Sequence, residues 1–161
     1  MVHTPFQITD DTGRAIWHFG SLIQLDATAE QTGGRFALIR HTCLSGTAAP
    51  LHRHTREDEL FLVVHGQLDI HIDGHRHHAP AGSITLAPRG IPHAYRAVTP
   101  TCQFLTLITP GGFEHWFTET GTAATTLALP PAPTTPPDMA ALTTAASRHG
   151  VEILGPPPSS E

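Results

Sequence analysis

The sequence contains no lysine and no asparagine, and the first absence narrows the chemistry available to the chain. All nine basic residues are arginine, so the chain offers neither a Schiff-base lysine nor the lysine of a phosphate-binding P-loop. The arginines do not cluster, and the formal net charge is −5. Both features argue against nucleic acid as a partner.

Long apolar runs and cysteines are also scarce. No segment approaches the roughly 20 apolar residues of a membrane span, and the N-terminus lacks a basic segment followed by an apolar stretch. We therefore expect no membrane partner and a cytoplasmic location. Cys43 and Cys102 lie in apolar, strand-like contexts and are expected to be buried free thiols. A disulfide is the less favoured alternative, and their spacing excludes a CxxC zinc site.

Short segments rich in β-forming residues dominate the first two thirds of the chain. Glycine and proline turns separate them, and Asp73-Gly74 is typical of a two-residue hairpin. This pattern predicts an all-β antiparallel sandwich or barrel. The predicted strands cover residues 15–25, 35–43, 60–64, 67–73, 83–87, 93–98 and 102–109.

After residue 110 the sequence pattern changes from strand-like segments to residues at helical spacing. Phe113, Trp116 and Phe117 have helical spacing, and Asp138 is placed to cap a last helix that ends near Arg148. We expect three regions: an N-terminal leader at 1–15, the barrel at 16–120, and a C-terminal region at 121–161. The last is expected to hold a Pro-rich strap, the short helix and a disordered tail.

The chain contains 13 histidines, and two of them form a His52-x-His54 pair. Residues two apart on a strand point to the same face, so both imidazoles can reach one ion. Glu59 follows at an odd offset, so the polar stretch between them must turn or bulge to bring its carboxylate to the same side. His93 begins a later strand and is the fourth candidate. Three imidazoles and one carboxylate suit a divalent first-row metal and leave coordination positions open.

Other polar residues are alternative candidates for a metal ligand or a metal site. Asp58 is the rival carboxylate, but on the strand that contains Phe61 it faces the opposite side. His75 and His77, with His78 beside them, follow the hairpin turn and are expected to be surface residues, because nothing near them completes a site. The metal candidates could also be four polar residues that share no function. Burying such residues without partners would cost free energy, which argues against this alternative.

The metal candidates fall within a known two-part pattern. Gly46-x5-His52-x-His54-x4-Glu59-x6-Gly66 resembles the first motif of the cupin superfamily. Gly82-x5-Pro88-x-Gly90-x2-His93 resembles the second motif, which often continues to asparagine where this chain has Ala97. Segments outside the motifs, such as ITPGGFEHWFTETG and HGVEILGPPP, are similar to single-domain bacterial quercetin 2,3-dioxygenase-like cupins.

This resemblance implies a fold, a cofactor and an activity. The fold is a single cupin barrel, a double-stranded β-helix or jelly roll, with short C-terminal helices. The cofactor is one divalent transition metal ion (Fe, Mn, Co, Ni, Cu or Zn) held by His52, His54, Glu59 and His93. The activity is a dioxygenase reaction in which O2 and a flavonol-like or polyketide-like enol or phenol are the substrates. A homodimer is implied as well.

Two other functions stay open at this stage. The first alternative is a non-oxidative metal-dependent isomerase, cyclase or dehydratase, and the second is a binding cupin without turnover. For an enzyme, Glu59 is the candidate general base, because a carboxylate beside the ion can take the proton of a substrate hydroxyl. The candidate substrate contacts are aromatic: Phe61, Tyr95, Phe113 and Trp116.

Overall fold

The computed structural model describes residues 4–10, 14–131 and 138–159. Within these ranges the chain forms twelve β-strands and three short helices. The strands are β1 (Ala15–His18), β2 (Ser21–Ala27), β3 (Ala37–Leu44), β4 (Leu51–His54), β5 (Asp58–His65), β6 (Gln67–Ile72), β7 (His75–Pro80), β8 (Ile84–Ala87), β9 (His93–Ala97), β10 (Thr101–Thr109), β11 (Thr122–Ala123) and β12 (Val151–Gly155). The helices are α1 (Ala29–Thr32), α2 (Glu114–Thr120) and α3 (Met139–Arg148).

The strands form two antiparallel sheets that enclose the core. One sheet has seven strands in the order β11-β1-β2-β3-β10-β5-β8, and the other has five in the order β12-β4-β9-β6-β7. Neighbours in each sheet are often distant in sequence, as β3 and β10 are. This arrangement is a jelly-roll barrel and confirms the fold class predicted from the sequence.

Alternating burial along the strands explains why these segments pair as they do. In β3 and β10 every second residue is buried, and the side chains between them lie on the outer face of the sheet. The inward residues form two apolar clusters, one centred on Ile39 and Ile108 and the other on Phe61 and Phe104. Burial of this apolar surface is the main term that holds the sheets together.

The two cysteines lie opposite each other on β3 and β10. Cys102 pairs with Cys43 in the strand register, and both are buried free thiols, as expected from the sequence. Side-chain hydrogen bonding between the two raises the pKa of Cys43 and lowers that of Cys102. Two packed thiols here contribute to the second apolar cluster.

A close approach fixes the turn between β5 and β6. Gly66 has a φ of 78°, and a Cβ atom at this position would lie 2.4 Å from the carbonyl oxygen of Thr101. Only glycine avoids both the strained backbone and the overlap. The turn sets β6 in the five-stranded sheet while β5 stays in the seven-stranded one.

Helices α2 and α3 form where the sequence predicts them. Asp138 caps α3 by accepting hydrogen bonds from the backbone N–H groups of Ala140 and Ala141, each at 3.0 Å. Glu114, at the start of α2, is buried and accepts from the backbone N–H of Ala29 at 2.6 Å. This bond ties α2 to α1, a single helical turn between β2 and β3.

The C-terminal region contains a strand before the tail, which is a feature that the sequence analysis did not predict. Val151–Gly155 forms β12, which pairs with the strand of His52 and His54, and Arg96 donates to the carbonyl oxygen of Pro158 at 2.9 Å. Burial alternates along this short strand, which pairs antiparallel with β4. Most of the predicted Pro-rich strap, residues 132–137, lies outside the described residues, as do residues 160–161.

No helix in the described ranges is both long enough and apolar enough to cross a membrane.

Candidate metal centre

Four polar side chains from both sheets meet inside the barrel. His52 and His54 point inward from β4, and His93 is the register partner of His52 on the adjacent β9. Residues 55–57 carry the chain across to the seven-stranded sheet, so Glu59 on β5 approaches from the opposite side. One ligand atom from each of the four residues lies within 4.8 Å of the others. All four side chains are buried, so the cluster could hold a metal ion.

Backbone carbonyls orient two of the imidazoles. Nδ1 of His52 donates to the carbonyl oxygen of Pro50 at 2.7 Å, and Nδ1 of His93 donates to that of Ile91 at 2.9 Å. A carbonyl oxygen only accepts, so Nδ1 carries the proton in each neutral ring. Each Nε2 therefore presents a lone pair to the centre, which is the tautomer that a metal ligand requires.

A carboxylate lies beside the third imidazole. Oε2 of Glu57 lies 3.4 Å from Nδ1 of His54, and both side chains are buried. Neither ring nitrogen of His54 has a hydrogen-bond partner among the described residues. Glu57 is thus placed to hold Nδ1, which leaves Nε2 of His54 without a partner at the centre.

The chemistry of these groups suits a cation. Oε2 of Glu59 lies 3.1 Å from Nε2 of His93 and 3.4 Å from Nε2 of His54. With Nδ1 protonated on each ring, the atoms that converge are lone pairs and a carboxylate oxygen. Acceptors gathered in a buried space repel one another unless a proton or a metal ion lies between them. The donor set therefore fits a divalent transition metal.

The pKa values also indicate that the cluster favours a positive charge at its centre. Burial lowers the pKa of His54, but the carboxylates of Glu57 and Glu59, each 3.4 Å from one ring nitrogen, outweigh it and raise the value to about 9. Burial raises the pKa of Glu59, but the neighbouring imidazoles of His54 and His93 hold it well below the usual value. Burial is the main cause that lowers the pKa of His52 to about 3, with the nearby His93 adding to the effect.

A cavity of about 460 Å³ opens onto this cluster. His52 and Glu59 line the cavity, whereas His54 and His93 do not. The volume lies within the range of small-molecule sites, and most of the other lining residues are apolar or aromatic. A molecule that enters the cavity therefore meets one imidazole and the carboxylate of the cluster first.

Three of the four aromatic residues named from the sequence line the cavity: Tyr95, Phe113 and Trp116. The ring of Phe113 lies 4.6 Å from that of His54 and stacks on Trp116 at 5.6 Å. Phe61 does not line the cavity. It is 1% exposed and packs in the core near Tyr95 and Phe104, because its strand position points into the second apolar cluster.

The other polar candidates lie away from the centre. Asp58 forms an ion pair with Arg89 at 3.0 Å on the outside of the barrel, so it is not the ligand carboxylate. The histidines of the β6–β7 hairpin are exposed, and Nδ1 of His78 contacts Asp69 at 2.6 Å. They belong to the surface, as the sequence indicated.

Sequence reasoning missed four features of the site. Glu57 is one, although its acidic side chain lies in the polar stretch between the ligand strands. His18 and His41 line the cavity, and the alternation of β3 was a signal for His41, which follows the inward residues Ala37 and Ile39 at the same period. The C-terminal helix α3 and strand β12 supply a further wall, for which we find no sequence signal.

Comparisons with known proteins agree with this architecture. A family model described as "Cupin domain" matches residues 40–108, the range that contains all four candidate ligands. The quercetin 2,3-dioxygenase of Bacillus subtilis (strain 168) is 30% identical over 95 residues. The match covers 59% of this chain and 28% of that protein, so the chain spans less than a third of the relative's length.

Solved structures with low sequence identity share the fold. An RmlC-like cupin from Shewanella frigidimarina has a TM-score of 0.59 at 15% identity, with 71% of this chain and 99% of that chain covered. KdgF from Halomonas sp. has a TM-score of 0.55 at 20% identity, with coverages of 60% and 84%. From the two motifs, the jelly-roll barrel and the family match, we conclude that residues 40–108 form a cupin domain.

Proposed function

We propose that the protein is a metal-dependent dioxygenase that cleaves a flavonol-like or polyketide-like enol or phenol. The observation that carries this proposal is the convergence of three Nε2 atoms and the Glu59 carboxylate at the inner end of an aromatic cavity. Tyr95, Phe113 and Trp116 offer ring faces to a flat substrate. The similarity to a quercetin 2,3-dioxygenase over 95 residues supports the choice of reaction.

Each residue of the centre has a distinct task in this proposal. His52, His54, His93 and Glu59 hold the ion, which when bound supplies a Lewis acid and a partner for oxygen chemistry. Glu59 faces the cavity and is placed to take the proton of a substrate hydroxyl at Oε1, the oxygen that does not contact the imidazoles. Glu57 keeps His54 in the tautomer that binds metal.

The enclosing walls determine which molecules reach the centre. Met139 and Leu142 of α3 and Ile153 of β12 line the cavity together with Phe113 and other aromatic residues. Such a lining favours an apolar ring system over a sugar, whose hydroxyl groups would lose their hydrogen bonds to water.

The direct test combines metal analysis with oxygen consumption. Purified protein is analysed for bound metals, reconstituted with each first-row ion, and mixed with quercetin under air while dissolved O2 is recorded. We expect near-stoichiometric metal and an O2 uptake that matches substrate loss. His54→Ala should lose both, because three ligands hold the ion poorly, whereas the surface control His77→Ala should retain both. Full metal retention in His54→Ala would contradict the site.

Two outcomes would favour the alternative functions. Turnover of a substrate under strict anaerobiosis would replace the dioxygenase by an isomerase, cyclase or dehydratase that uses the same ion and base. Tight binding of a ligand that stays unchanged with and without oxygen would leave a binding cupin. Either result would refute the proposed reaction while leaving the metal site intact.

We further propose that the protein is a homodimer that pairs through the outer face of the seven-stranded sheet. Aliphatic side chains form two rows across β10, β5 and β8 on this face. In register they are Leu107, Leu60 and Leu86 in one row and Leu105, Leu62 and Ile84 in the other. Ile84 is 66% and Leu86 54% exposed. A continuous apolar patch suits a two-fold interface in which both copies use the same surface.

A further inference from the structure

One polar atom at the cavity has no role in the metal centre. His41 lines the cavity and is 4% exposed, and its Nδ1 atom has no hydrogen-bond partner among the described residues. Leaving a buried polar nitrogen unpaired costs on the order of 1–3 kcal/mol, so such an atom calls for an explanation.

The rest of the His41 ring is held firmly. Its Nε2 atom is hydrogen-bonded to Oγ1 of Thr106 at 3.1 Å, and its face stacks on Phe104 at 4.4 Å with an interplanar angle of 6°. The ring therefore has a fixed orientation, with only Nδ1 left to bind another group. Burial, as the main cause, lowers the pKa of His41 to about 4, so the ring is neutral at pH 7.

The backbone of His41 lies apart from that of Glu59 along the sheet, although both side chains line one cavity. Glu59 is level with Ile108 on β10, whereas His41 is level with Phe104, four residues away. Four residues along a strand span about 13 Å, and the two strands that carry His41 and Glu59 are two spacings, about 10 Å, apart. The side chains lie closer together than these backbone spacings, since the charge of Glu59 acts to raise the pKa of His41. One ligand in this cavity can therefore contact both residues.

A second nitrogen at the same cavity also has no hydrogen-bond partner. Nε1 of Trp116 is buried, and Trp116 lines the cavity beside His18, whose ring lies 4.6 Å away. An indole N–H only donates, so it requires an acceptor. The cavity thus combines aromatic walls with separate hydrogen-bonding points, which suits a ring system that carries several oxygen atoms.

We infer that the substrate is a polyphenol with a second hydroxyl group, distinct from the one at the metal centre, that hydrogen-bonds to Nδ1 of His41. A hydroxyl both donates and accepts, so it pairs with either tautomer of the neutral ring. His41 is then a specificity-determining residue that separates polyhydroxylated flavonols from those with a single hydroxyl. The inference rests on the proposed function for the class of ligand.

The test measures binding rather than turnover. Protein loaded with Zn²⁺, which has no redox chemistry, is titrated under nitrogen with quercetin and with 3-hydroxyflavone, which has one hydroxyl only. Trp17→Phe serves as the background for every variant, so that quenching of Trp116 fluorescence reports the cavity. The quantity compared is the ratio of the dissociation constant of 3-hydroxyflavone to that of quercetin.

We expect His41→Phe to lower this ratio by about 3- to 10-fold, because the ring shape and stacking remain while one hydrogen bond is lost. Thr106→Val is the matched control, since it removes the internal hydrogen bond but keeps Nδ1, and its ratio should stay within about twofold of the parent's. His41→Gln should recover part of the preference. Circular dichroism confirms the fold of each variant.

Two results would overturn the inference: a ratio in folded His41→Phe that equals the parent's, or no binding of quercetin to the parent. The test is independent of the proposed reaction. A fall in the ratio together with no oxygen uptake would refute the dioxygenase and leave the role of His41 standing. Oxygen uptake with an unchanged ratio would support the dioxygenase and refute the role of His41.

Discussion

Replacing Glu57 with alanine tests the metal centre without touching a ligand. In the structure Oε2 of Glu57 lies 3.4 Å from Nδ1 of His54, and both side chains are buried. The variant should leave His54 free to rotate or to place its proton on Nε2, the atom that must bind the ion. All four candidate ligands remain in the sequence, so any loss of affinity arises from their orientation or from the lost charge of Glu57.

The expected loss of metal affinity is estimated from the contact between Glu57 and the imidazole of His54. Partners that hold a ligating imidazole are worth about 10- to 100-fold in metal affinity, or roughly 1.4 to 2.7 kcal/mol. We expect the upper part of this range, because among the described residues Nδ1 of His54 has no other acceptor to replace the carboxylate. Glu57→Gln, which keeps a carbonyl oxygen, should lose less.

Asp58→Ala is the matched control for this variant. Asp58 is the next residue and has the same charge, but its carboxylate pairs with Arg89 at the surface. Removing it changes the net charge by the same amount as Glu57→Ala and leaves the imidazoles in place. Metal affinity is measured by competition with a chromophoric chelator at pH 7.5. Equal affinities for Glu57→Ala and Asp58→Ala would refute the role of Glu57.

Three further variants test other parts of the structure. Glu59→Gln should keep part of the metal affinity but consume O2 at least about 100-fold more slowly, because the general base is lost; a wild-type rate in the oxygen assay would remove Glu59 from proton transfer. His41 in the unfolded chain binds a proton near pH 6.5, but in the folded chain only near pH 4, so acid favours unfolding. Between pH 7 and pH 4 the wild type should therefore lose about 3 kcal/mol more unfolding free energy than His41→Phe, measured by urea denaturation at each pH. Parallel losses in both proteins would contradict the burial of a neutral ring. The double variant Ile84→Glu, Leu86→Glu should convert a dimer into a monomer of unchanged metal content in light scattering; a wild-type protein that is already monomeric would refute the dimer.

The ligand set was accessible from the sequence because local spacing constrains it. His52 and His54 must share a face if their segment is a strand, and the polar residues 55–57 leave room for the turn that brings Glu59 to the same centre. Short strands with alternating residues and Gly/Pro turns predicted an antiparallel sandwich or barrel, and the resemblance to cupins implied the jelly roll. The expectation for Phe61 failed because a shared strand face does not distinguish the wall of a cavity from the core behind it.

The sequence by itself determined the chemistry of the site: three imidazoles and a carboxylate on strands of a barrel, with no lysine to support other mechanisms. Only the tertiary structure decided what surrounds that site. His41, Glu57 and strand β12 reach it through contacts between residues far apart in the chain or by a turn whose direction the local pattern leaves open. The physical reason is that periodicity selects the face of each strand, whereas packing between sheets decides which faces enclose empty space.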